Sequence, residues 1–121
     1  MLLLVVLLPL FGDHEERHGH IPKNFQPLHL SKAQYRELKE ILKEHRKRLR
    51  ELHQEEERLE EMLRELFQER EFDKEKFLTK KRQLKLNMAT IETDFFVKLH
   101  RLFTSKQRRL FSRYIEEWEI E

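Results

Sequence analysis

The residues best placed to do chemistry lie near the start of the chain, in His14-Glu15-Glu16-Arg17-His18-Gly19-His20. Histidines at i and i+4 share one face of a helix, and neutral imidazoles suit zinc, copper or nickel. His20 joins His14 and His18 as a third ligand if Gly19 breaks the helix. A fourth position is then left for Glu15, water or a partner subunit. The same composition also describes a solvated His-rich linker, so both readings stand. If metal binds there, sensing or buffering is the chemistry to expect, not catalysis. Elsewhere the helices offer no serine, cysteine or metal constellation of the kind that converges in a pocket, and there is no Gly-rich phosphate loop. The chain therefore reads as a binding protein and not an enzyme, with no required cofactor.

The elements that must position these groups are helical. Charged residues make up 40% of the 121-residue chain, against 38% hydrophobic, with Gly 2, Pro 3 and Cys 0. So little turn-forming material and so much Glu, Lys, Arg and Leu leaves an all-α chain of one domain with a thin apolar seam, a composition that favours self-association. Lys plus Arg 25 against Asp plus Glu 23 gives a net charge of +2. With the signs interleaved along the chain, nucleic acid is not an expected partner, and the run His45-Arg46-Lys47-Arg48-Leu49-Arg50 reads as a solvated basic turn.

Leu30-Ser31-Lys32-Ala33-Gln34 is a helix start in which Ser31 caps and Gln34 reaches back, with Leu30 and Tyr35 as the apolar staple. From Tyr35 the seam runs through Leu38, Leu42, His45, Leu49, Leu52, Glu56, Leu59, Leu63 and Leu66, spaced alternately by three and four. That is an unbroken heptad pattern. The helix is expected to end near Arg70, with Asp73 capping the next one. The second helix carries Phe77, Leu84, Met88, Ile91, Phe95 and Leu102 on one stripe, widened by Phe96, Leu99 and Phe103. A connection this short forces the two helices antiparallel. Phe103-Thr104-Ser105-Lys106-Gln107 then repeats the capping box, and Leu110, Phe111, Tyr114, Ile115 and Trp118 give a short final helix. With the hairpin centred near residue 72, Glu56 falls opposite Asn87 or Met88, where a hydrogen bond would fix the register. His45 falls near Lys98 to His100, so His45 and His100 form a second candidate metal or pH-sensitive pair.

Residues 2–11 are an uninterrupted apolar run, about half of what a spanning helix needs, followed at once by Gly12, Asp13 and the His-rich stretch. Residues 1–12 are accordingly expected to be a cleaved signal peptide, 13–29 a mobile or weakly helical arm, and 30–121 the helical domain. The absence of cysteine is compatible with an oxidising compartment.

The two pentapeptides, 31–34 with Leu30 and 104–107 with Phe103, resemble the paired LTxxQ motifs of the Spy and CpxP family of periplasmic chaperones and stress regulators, which includes zinc and heavy-metal sensors. Ser31 stands for Thr and Phe103 for Leu, changes that keep a hydroxyl and an apolar staple. The resemblance covers about residues 13–119. It implies a periplasmic, ATP-independent chaperone or envelope-stress protein: an antiparallel homodimer forming a curved cradle for unfolded envelope proteins, with a metal-responsive role and a membrane signalling partner as further possibilities. A dedicated metal-sensing regulator without chaperone activity, and a structural coiled coil, are the alternatives. In the cobalt-nickel sensor branch a His and a Met four residues apart precede the second motif as ligands. Aligned on Phe103 those positions hold Phe95 and Leu99, so that site is not implied here. The aromatics Phe95, Phe96, Phe103, Phe111, Tyr114 and Trp118 are candidates for client or dimer contacts, or else for the core that closes the final helix on the hairpin.

Overall fold

The computed structural model describes residues 23–115. A short 3-10 segment, Lys23–Leu28, hereafter the strap, precedes three α-helices: α1, Lys32–Gln68; α2, Lys74–Leu102; and α3, Ser105–Ser112. The two long helices pack as a hairpin, and no strand is present among the described residues. None of these helices is long and apolar enough to cross a membrane.

Each helix begins where the sequence supplies an oxygen to receive its orphan N–H groups. At α1 the Gln34 amide N–H donates to Ser31 Oγ at 3.1 Å and Ser31 N–H donates to Gln34 Oε1 at 2.9 Å. At α2 the Lys76 N–H donates to Asp73 Oδ1 at 3.2 Å. α3 repeats the α1 box with Thr104 and Gln107. Asp73 acts alone, without a returning side chain, so Asp73→Ala should cost about 1 kcal/mol. A lowered urea midpoint with an unchanged denaturant slope would register it.

The chain divides into two compact units, one of residues up to Arg46 together with those from Phe95 onward, the other Lys47–Asp94. In the second unit Leu52, Leu59 and Leu66 of α1 and Leu84, Met88 and Ile91 of α2 are buried, the positions the heptad spacing picks out. Polar contacts also join its helices. Asn87 Nδ2 donates to Glu55 Oε2 at 3.0 Å, and Arg48 Nη1 meets Asp94 Oδ2 at 2.9 Å. The register partner of Asn87 is thus Glu55, one residue before the expected Glu56. α1 ends at Gln68, near the expected Arg70.

In the first unit, Leu38 and Leu42 of α1 and Leu99 of α2 are buried. The strap lies within the segment expected to be a mobile or weakly helical arm, and it is a short 3-10 helix. Phe25 is 0% exposed and Leu28 is buried beside it. His29 N–H donates to the Gln26 carbonyl at 3.2 Å, closing the turn. His29 itself has φ 52°, a left-handed conformation in a residue with a Cβ, which turns the chain between the strap and the α1 cap.

Candidate functional site

The two capping boxes meet. Gln34 Nε2 donates to Gln107 Oε1 at 2.8 Å, and Gln107 Nε2 donates back to Gln34 Oε1 at 3.1 Å. Each Oε1 also accepts from its own cap: Ser31 N–H to Gln34, and Thr104 N–H to Gln107 at 2.9 Å. Each Nε2 spends its second proton on a carbonyl, Gln34 on Leu102 at 2.9 Å and Gln107 on Leu28 at 3.3 Å. Both amides therefore use two donors and two acceptor lone pairs, the full inventory of the group. The pair clasps the starts of α1 and α3, the end of α2 and the strap. This explains physically why the pentapeptide occurs twice: each glutamine satisfies its own helix and the other's side chain together.

Beside the clasp lies an aromatic cluster. The Phe25 ring stacks on Phe111 with centroids 5.7 Å apart and an interplanar angle of 8°, and tilts against Phe103 at 6.4 Å. Phe103 and Phe111 are 5.4 Å apart. All three are buried. Further along this unit the His45 ring is buried and lies flat on Phe95, 3.9 Å between centroids at 12°.

Of the aromatics expected as client or dimer contacts or else as core, Phe95, Phe103 and Phe111 are buried, while Phe96 and Tyr114 are half-buried. His45 is covered by Phe95, whereas His100 is exposed with its carbonyl accepting from Arg108 Nε, so the structure does not bring the two histidines together as ligands. The cause is register: Phe95, rather than a residue near His100, takes the place opposite His45. His53 stands 3.7 Å from Glu56 and 3.9 Å from Glu57, but these are neighbours within one helix. Among the described residues no group of three or more His, Asp or Glu is arranged to hold a metal ion. His14, His18, His20 and Trp118 lie outside the described residues.

The most open apolar side chains are elsewhere, in the unit Lys47–Asp94, although Val97 and Ile115 of the first unit are also exposed. Phe67 is 74% exposed and Leu86 66%, with Phe72 and Leu78 also exposed. Phe67 packs edge-on against Phe72 at 5.4 Å and Phe72 against Phe77 at 6.1 Å, so the connection carries a half-open cluster of rings. The surroundings are charged. Arg64 donates to Glu61 at 2.8 Å, and that hydrogen bond raises the guanidinium pKa above its ordinary value on a fully exposed helix face. Sequence spacing could have found Phe67 and Leu86, because both fall off the buried seam of their helices.

The model of the heavy-metal resistance family matches residues 1–103, from the apolar run through the first capping box to the staple of the second. The chain belongs to that family. No curated protein and no solved structure matches it significantly. Membership agrees with the LTxxQ resemblance, whose family includes metal-resistance members, and with the all-helical hairpin.

Proposed function

We propose that this member of the heavy-metal resistance family is a periplasmic, ATP-independent chaperone of the envelope-stress type, acting as an antiparallel homodimer and responding to heavy metal through its His-rich N-terminal stretch. The observation that carries the chaperone reading is the set of exposed apolar side chains, Phe67, Leu78 and Leu86 on helices otherwise covered by charge and Phe72 in the connection between them. Scattered apolar contacts interspersed with Lys and Arg bind many unfolded segments weakly, and their release requires no nucleotide. Export is supported by the apolar run at residues 2–11 and the polar stretch that follows it. Metal response is supported by the family and by the spacing of His14, His18 and His20. Clients would be unfolded envelope proteins, and a membrane signalling partner would report metal load.

The test is light scattering of a chemically unfolded client, beside calorimetric titration with zinc, copper and nickel. The wild-type chain should suppress aggregation at near-stoichiometric amounts, and Phe67→Ser with Leu86→Ser should remove most of that effect while leaving helicity intact. Metal uptake should disappear in the His14→Ala, His18→Ala, His20→Ala variant. Metal uptake without any suppression of aggregation would sink the chaperone reading and leave a dedicated metal-sensing regulator. Neither activity would leave a structural coiled coil.

A further inference from the structure

Within the unit Lys47–Asp94 the two helices differ on the sides they turn away from each other. On α1 that side carries Lys47, Arg50, Gln54, Glu57, Glu61 and Glu65, all exposed, a face made for water. On α2 the buried seam is Leu84, Met88 and Ile91, and at 3.6 residues per turn the opposite side carries Leu78, Arg82, Leu86, Ala89, Thr90 and Thr93. These too are exposed, Leu86 at 66% and Leu78 at 40%, and past Arg82 the face holds no charge. Its residues recur every three or four positions, so they form a second seam back to back with the first. Apolar side chains are accordingly far less one-sided on α2 than on α1. A helix with a seam on each side is built to pack twice, and the hairpin uses one of them.

The charges along α2 point to what covers the second seam. Between 74 and 85 lie Lys74, Lys76, Lys80, Lys81, Arg82 and Lys85 against Glu75 alone, whereas 86–94 carries Glu92 and Asp94 and no basic residue. Each half of this stretch therefore attracts the other half and repels its own kind. A second copy of the chain laid parallel sets basic on basic. Laid antiparallel, it matches both halves at once, and a two-fold axis passing between Leu86 and Ala89 sets each Leu86 over Ala89 and Thr90 of the second copy. We infer that this outer face of α2, from Leu78 to Thr93, is the surface on which two copies of the chain pair antiparallel. The inference rests on the homodimer part of the functional reading and names the face that makes it. The stretch 74–94 is about 30 Å of helix, and one helix pair of that length lies at the low end of stable interfaces, so the pair should separate in the micromolar range. Pairing covers Leu86, so clients reach that side chain only when the copies part, and self-association sets how much apolar surface the protein offers.

Sedimentation velocity of the full chain across the micromolar range tests this. Leu86→Glu removes the largest apolar side chain of the face and sets a charge at its centre, so it should weaken association on the order of ten-fold or more. Its helical circular dichroism and urea midpoint should match the wild type, because Leu86 is exposed in the single chain. Gln54→Glu, on the outer side of α1, should leave association unchanged. Raising the ionic strength to about 1 M, where charges are screened beyond about 3 Å, should weaken the wild-type dimer, and a dimer unchanged or tightened by salt overturns the antiparallel pairing. If Leu86→Glu loses helicity, Ala89→Glu takes its place with the same expected direction, and unfolding of both overturns the proposal because the face would then belong to the core of the single chain. A dimer indifferent to these variants overturns the proposed face and leaves the homodimer reading standing. A wild-type chain that stays monomeric overturns both. Binding to phosphatidylglycerol vesicles that Leu86→Glu abolishes, without self-association, gives the face to an anionic lipid surface and also overturns the proposal. Aggregation suppression measured in parallel decides the chaperone reading independently of these outcomes.

Discussion

Gln107→Ala should destabilise the protein by about 3 kcal/mol, because it leaves several donors and acceptors stranded around a part-buried amide. Thr104 N–H loses its acceptor, the Leu28 carbonyl loses its donor, and Gln34 loses one bond at each end of its side chain. Gln34→Ala should cost a similar amount for the same reason. The double variant should cost much less than the sum, with a coupling of roughly 1–3 kcal/mol, since the second substitution removes groups already orphaned by the first. Urea unfolding of the four proteins in the cycle measures it, and strict additivity would refute the clasp. Gln107→Glu separates hydrogen bonding from packing. It keeps the volume but sets a carboxylate oxygen against Gln34 Oε1 and the Leu28 carbonyl. Its folded-state pKa should therefore be raised, so its penalty should be largest at neutral pH and shrink as the pH falls and the group takes up a proton.

Phe103→Ala should have the largest effect of any apolar substitution, about 3–5 kcal/mol for emptying a buried phenylalanine site. Phe103 touches both Phe25 and Phe111 and immediately precedes the Thr104 cap, so its loss loosens the strap, the seat of α3 and the end of α2 together. Phe103→Leu, which restores the residue that the family motif carries there, should cost about 1 kcal/mol because the apolar volume is largely kept. Thermal unfolding followed by circular dichroism distinguishes the two. A Leu variant as damaged as the Ala variant would show that ring stacking, and not burial, holds this corner.

Much of this fold is legible in the sequence because it rests on periodicity and capping. Every Leu of the α1 seam from Leu38 to Leu66 is buried except Leu63, which is half-buried, and both capping boxes form with the residues that spacing assigns to them. Register is harder to read. Glu55, Glu56 and Glu57 are chemically equivalent partners for Asn87, and where the turn falls chooses among them. The strap is hidden for a different reason. Pro22, Pro27 and the absence of helical period look like a linker, while the informative signal, two apolar residues three apart, is too short to stand out. The clasp itself is half visible. Each glutamine is legible as a cap, but that the two amides pair depends on where α1 and α3 begin in space, which no local pattern encodes. Phe95 and Phe111 have no single reading in the sequence, because surplus aromatics at the end of a thin hairpin serve a core and a contact surface equally well.

The clasp joins side chains 73 residues apart. A hairpin of this kind gains its other contacts locally, each turn of α1 meeting α2 as the chain zips away from Asp73, so the entropy of closing the largest loop is met only at the end. The glutamine pair should therefore form last in folding and open first in native-state fluctuations. Amide hydrogen exchange should then show Gln34 and Gln107 exchanging ahead of Leu52 and Ile91, with protection rising toward the middle of the Lys47–Asp94 unit. A chain assembled in this order seats its strap and α3 only after its centre is built.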